Sequence, residues 1–156
     1  MKNWKKYGKK ANLALSLWVK LARATASFGK LSTENIRLFG LTEPQFAALE
    51  CLGHLGPLKL GDLSRKMLVS SGNITCVIDN LEKNGLVVRS RSLDDKRATY
   101  VHLTPAGKKM FDEIFIRHAK FIQQAASVLS ETEQNMLASL LKKLGLGLQT
   151  QFESDH

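Results

Sequence analysis

Cysteine is nearly missing. Cys51 and Cys76 are the only two in 156 residues, and neither belongs to a CxxC pair or to a Cys/His cluster with metal-ligand spacing. That argues against a disulfide-stapled secreted scaffold and against a metal site. Long apolar runs are missing too: Leu13–Leu17, continued by Trp18 and Val19, is broken by Ser16 and Lys20, well short of the roughly 18 residues a membrane span needs. The basic opening Met1–Lys10 has the charge of a signal n-region, yet Lys20 and Arg23 fall where an apolar segment belongs, so the chain is expected in the cytoplasm and not at a membrane. Nothing converges as an enzyme requires. His54, His102, His118 and His156 are dispersed, and no Gly-rich loop follows a strand to cradle a phosphate. Neither catalysis nor a cofactor is expected.

Acid is the scarce charge. Fourteen Asp and Glu stand against 23 Lys and Arg, giving a formal net charge of +9 and a pI near 9.7, which points to a polyanionic partner. The first 30 residues hold Lys2, Lys5, Lys6, Lys9, Lys10, Lys20, Arg23 and Lys30 and no acid. This end keeps the chain soluble, and as an arm it could also touch flanking nucleic acid or acidic groups of a second subunit.

What is present is mostly helical period. Leu17, Leu21, Ala24, Phe28, Leu31, Asn35 and Leu38 step by three and four through Gly29, which predicts one long helix closed near Gly40. Leu41-Thr42-Glu43-Pro44-Gln45-Phe46 supplies an N-cap, a Gln three residues on and a Leu41–Phe46 staple, opening a helix over about 43–54. Leu60, Leu63 and Met67 pattern a short helix, and Val69-Ser70-Ser71-Gly72 turns into another. In that later helix Ile74, Val77, Ile78 and Leu81 share one face, which leaves Gly72, Thr75, Cys76, Asp79 and Lys83 opposite, flanked by Asn73 and Asn80.

At Leu86 the period changes. Leu86–Arg91 and Thr99–Leu103 are β-rich runs separated by the polar stretch Ser92–Ala98, a hairpin with a charged tip. Thr104-Pro105 starts a helix to about Val128, and Ser130-Glu131-Thr132-Glu133 is a capping box for a last one bearing Leu137, Leu140, Leu141, Leu144 and Leu148. The fold class that follows is mainly α with a small two- or three-stranded β wing. It is a winged helix-turn-helix over 41–104, flanked by helical dimerisation segments at 1–40 and 105–156.

Such a fold offers its second short helix to the major groove of duplex DNA. Ser70, Ser71, Asn73 and Thr75 lie near that helix's N-terminus, where free N–H groups favour a phosphate, and Asn80 is the base reader of its second half. Asp79 would face DNA and be repelled, so it is expected to pair with Lys83 at i,i+4. Arg89, Arg91, Lys96 and Arg97 surround Asp94 and Asp95, a tip too charged to pack inward.

Ile74-Thr75, Asp79-Asn80-Leu81-Glu82-Lys83-Asn84-Gly85-Leu86-Val87, Asp95-Lys96-Arg97-Ala98 and Val101-His102-Leu103-Thr104-Pro105-Ala106-Gly107 together resemble the MarR family of bacterial transcription regulators over about 13–148. The resemblance implies a homodimeric repressor on a pseudo-palindromic operator, released by a small aromatic or anionic effector or by an oxidant. It further implies Arg97 in the minor groove with Asp95 orienting it, and an effector pocket drawing on Trp18, Phe46, His54, Phe115 and His118. Two departures matter: many relatives have a basic or small residue at Cys76 and often a basic one at Asn80, so the operator sequence does not carry over. Cys76 on the DNA-facing side also suggests a thiol switch, although relatives that sense peroxide through a cysteine usually carry it in the first helix, which here has none. Cys51 is expected in the core. Read from the residues alone, a winged helix used for protein contact stays open, as does a regulator that answers to no ligand.

Overall fold

The structure, a computed structural model, describes residues 7–67, 70–91 and 99–153. Six helices and three strands follow one another: α1 Lys9–Arg37, α2 Glu43–Leu55, β1 Leu58–Lys59, α3 Leu60–Lys66, α4 Ser71–Lys83, β2 Val87–Arg91, β3 Thr99–Leu103, α5 Pro105–Ala126 and α6 Glu131–Glu153. The chain forms two compact units, 1–119 and 120–156, with the boundary inside α5.

The boundaries rest on side-chain chemistry. At Thr42 both halves of the capping box form, Gln45 N–H donating to the Thr42 hydroxyl and the Thr42 N–H donating to Gln45 Oε1 at 2.9 Å. Leu41 and Phe46, the expected staple, are both buried. Gly40 and Gly85, at φ 73° and 70°, take the left-handed conformation that ends α1 and follows the Asn84 cap of α4. Ser71 and Gly72 lie inside α4, so the turn expected over Val69–Gly72 is shorter than its sequence suggested; Val69 lies outside the described residues.

In the first unit the core gathers Ile36, Leu41, Phe46, Leu49, Leu52, Leu63, Ile74, Ile78, Leu81, Val87, Val101 and Ile114, one or more from nearly every element. Cys51 packs half-buried against it, and burial holds its thiol pKa above the ordinary value. The sheet has the order β1-β3-β2, all antiparallel. Residues β2 and β3 pair from Val87↔Leu103 to Arg91↔Thr99, and the two-residue β1 adds Leu58↔Val101 and Lys59↔Tyr100 on the other edge. The tip between β2 and β3, with Asp94, Asp95, Lys96 and Arg97, lies outside the described residues.

Gly107 fixes where α5 begins. A Cβ there would lie 1.9 Å from the Leu86 carbonyl oxygen, and that same oxygen accepts from the Thr104 N–H at 3.0 Å. The Thr104 hydroxyl donates to Gly85 O at 2.6 Å and accepts from the Gly107 N–H at 3.0 Å. One residue thus caps α5 and ties it to the α4–β2 turn. In the second unit the Ser130–Glu133 capping box forms, and the two hydrogen bonds from Ser130 lower the Glu133 pKa. No helix among the described residues is long and apolar enough to cross a membrane.

Candidate nucleic-acid interface

Helix α4 is built to present one polar face. Its inner side buries Ile74, Ile78 and Leu81 at 1% exposure or less, so the helix cannot rotate without unpacking the core. Gly72, Asn73, Thr75, Cys76, Asp79, Asn80 and Lys83 are exposed opposite. The Ser70 hydroxyl caps the N-terminus by accepting from Asn73 N–H, and Ser71 is the first helical residue. Asn80 folds back along the helix: its Nδ2 donates to Cys76 O at 2.8 Å and lies 3.6 Å from Cys76 Sγ. Cys76 and Asn80 therefore touch each other.

Asp79 does not pair with Lys83. It is taken instead by Arg89 of β2, whose Nη2 is 2.6 Å from Asp79 Oδ1. Arg89 Nη1 also reaches Glu82 Oε2, and its backbone N–H donates to Glu82 Oε1 at 3.0 Å. A strand residue with two carboxylates in reach, one of them bonded twice, outcompetes an i,i+4 lysine that offers only a solvent-exposed point charge. Burial disfavours the charge on Arg89, and the hydrogen bonds to Asp79 and Glu82 more than offset it, so its pKa is raised.

Arg89, expected among the charges of the hairpin, is bonded to α4 and is only 22% exposed. Arg91, two residues on, is exposed. Glu82, quoted above only as part of the run Asp79–Val87, ties β2 to α4 together with Asp79. Nothing in its seven-residue separation from Arg89 across Asn84-Gly85 signals that pairing. Asp95, Lys96 and Arg97 lie outside the described residues.

Four of the five residues expected in an effector pocket make ring contacts, in two separate groups. His54 stands edge-on to Phe115 and Phe111, with ring centroids at 4.4 and 5.1 Å, and His118 packs on Phe46 at 4.6 Å. His118 Nδ1 is 2.8 Å from Asn35 Oδ1, so the ring nitrogen donates to the amide oxygen. Burial lowers the His118 pKa, with Glu50 opposing. Trp18, 66% exposed on α1, shares in none of these ring contacts.

The protein-family comparison matches the MarR family over residues 41–99, a span that begins at the α2 cap and takes in α4 and β2. The chain is 42% identical to the HTH-type transcriptional regulator YkoM of Bacillus subtilis (strain 168), over 85% of this chain and 86% of that one. It is 38% identical to the HTH-type transcriptional regulator MhqR of the same organism, over 85% and 92%. Among solved structures, a probable transcriptional regulator from Pseudomonas aeruginosa superposes with a TM-score of 0.74 at 33% identity, covering 85% of this chain and 98% of that one.

Proposed function

The chain belongs to the MarR family of DNA-binding transcription regulators, and from that premise we propose that it works as a homodimeric repressor in the cytoplasm, reading a pseudo-palindromic operator. The observation that carries the reading is the exposed polar face of α4, held in register by buried Ile74, Ile78 and Leu81. Ser70, Ser71 and Asn73, at the N-terminal end, meet phosphate; Thr75, Cys76 and Asn80 meet base edges. Arg91, Lys96 and Arg97 carry the wing's phosphate and minor-groove contacts, with Asp95 orienting Arg97.

A small aromatic or anionic effector is the release signal, entering among Phe46, His54, Phe115 and His118, where aromatic walls and two imidazoles support such a ligand. It weakens DNA binding by favouring a spacing of the two α4 helices other than the one-turn separation that successive major grooves require. The protein performs no catalysis in this reading.

The test is an anisotropy titration against duplex DNA from the gene's own promoter at two salt concentrations, with Arg97→Ala beside wild type. Sequence-preferring binding with a steep salt slope that Arg97→Ala reduces is expected. Weak binding indifferent to sequence and to Arg97 would make the wing a protein-contact surface instead.

A further inference from the structure

A basic residue on the wing of a DNA-binding protein is ordinarily a phosphate ligand, and Arg89 stands where such a ligand is looked for. Its surroundings say otherwise. Among the described residues, every hydrogen-bonding partner that the guanidinium meets belongs to α4: Asp79 Oδ1 at 2.6 Å, Glu82 Oε2, and the Thr75 carbonyl at 3.4 Å. The Glu82 carboxylate also holds the Arg89 backbone N–H at 3.0 Å, so one carboxylate fixes both the strand and the side chain that leaves it. With 22% of the side chain exposed, few of its five N–H donors remain for an outside anion.

From this geometry we infer that Arg89 is a positioning residue for operator reading: together with Glu82 it locks the wing to α4 and thereby sets sequence selectivity, without itself neutralising a phosphate. The inference rests on the reading of α4 as the DNA-facing helix. Two consequences follow from electrostatics. Asp79, the one acid on the exposed face of α4 among the described residues, is neutralised by Arg89 and so does not repel the duplex. The angle between α4 and β2 is also held by a charged, partly desolvated fork, which tolerates less play than a packing contact alone. A groove-bound helix and a wing on the flanking backbone must satisfy DNA geometry together, and a fixed angle lets only the right groove width and spacing satisfy both.

The sign of one substitution separates the two roles. Glu82→Gln removes a negative charge beside a polyanion, so if Arg89 were a phosphate ligand restrained by Glu82, the variant would bind DNA more tightly. If Glu82 positions the wing, the variant binds its operator more weakly. The experiment titrates wild type, Glu82→Gln, Arg89→Gln, the double variant and Arg91→Gln against the promoter duplex and a scrambled duplex of equal length, across a salt series. Circular dichroism confirms that each is folded. The expected result is a loss of about tenfold in promoter affinity for Glu82→Gln and Arg89→Gln, the scale of one charge-assisted hydrogen bond. Scrambled-duplex affinity holds steady for Glu82→Gln and falls less than promoter affinity for Arg89→Gln, where only the unneutralised Asp79 acts on it; the salt slope is unchanged, and on the promoter the double variant is no worse than Arg89→Gln. Arg91→Gln behaves differently, losing about 0.9 of the salt slope on both duplexes.

Tighter binding by Glu82→Gln, or a slope loss of about 0.9 for Arg89→Gln, would overturn the inference and make Arg89 a phosphate ligand. A wild-type protein that does not distinguish promoter from scrambled duplex, with Arg91→Gln leaving the slope alone, would instead remove the DNA-facing reading of α4, and the inference with it.

Discussion

A methyl group added to Gly107 meets the Leu86 carbonyl oxygen at 1.9 Å, a separation that no backbone tolerates. Because the obstacle is main chain and not the end of a flexible side chain, relief requires α5 to move away from the α4–β2 turn. That movement would break the Thr104 bonds to Gly85 and Leu86. Gly107→Ala is therefore expected to cost about 2 kcal/mol or more in urea unfolding, and an unchanged midpoint would show that α5 can shift freely. A second residue carries a pH dependence. Burial lowers the His118 pKa in the folded chain, while in the unfolded chain it returns to about 6.5. The unfolded state thus takes up the proton first on acidification. The stability His118 contributes is complete above the unfolded value and is lost as pH falls through the folded one. Urea midpoints at about pH 7.5 and about pH 5.5 should diverge more for wild type than for His118→Gln, and equal divergence would mean that His118 is protonated without penalty.

At the scale of elements, sequence legibility follows whether a signal is local. The caps at Thr42 and Ser130 and the left-handed glycine at Gly40 need only their immediate neighbours, and each forms as its residues predict. The polar face of α4 was legible for the same reason, since burying Ile74, Ile78 and Leu81 leaves only one arrangement of the remaining side chains. Two features escaped. The third strand that the expected two- or three-stranded wing allowed had no place assigned: β1 is two residues long and has no period of its own, and it exists because β3 offers it a free edge, which Leu58 and Lys59 could not announce. Asp79 was assigned to Lys83 because helix neighbours are the only pairs a linear pattern reveals. The partner it takes lies ten residues away on a strand, and that choice depends on the angle between α4 and β2 and on Glu82 binding the same guanidinium. The charges of the interface could be read from sequence; their connections could not, because connections are set by tertiary geometry.

At the scale of the whole molecule, the remaining problem is apolar surface without cover. On α1, Leu13, Leu17, Trp18, Phe28 and Leu31 are between 41% and 74% exposed, and on α6 Met136, Leu137, Leu140, Leu141, Leu146 and Leu148 are between 41% and 61% exposed. Patches of this kind, one in each unit, are what the proposed dimer would bury. A second copy of the chain is the natural cover, since the operator reading above also calls for two α4 helices. Charge opposes that assembly: each copy brings a net +9, and α1 holds Lys9, Lys10, Lys20, Arg23 and Lys30 beside its apolar residues. Apolar burial is indifferent to screening at moderate ionic strength, whereas like-charge repulsion is damped by it. Dimerisation should consequently hold or tighten between about 0.1 M and about 0.5 M salt, over the same range in which DNA binding weakens through counterion release. Sedimentation equilibrium at both salts, run beside the anisotropy titration, checks the pair of opposite signs. A dimer that falls apart at the higher salt would mean that ion pairs and not the leucines of α1 and α6 hold it, and Leu140→Glu would then leave the association constant unchanged.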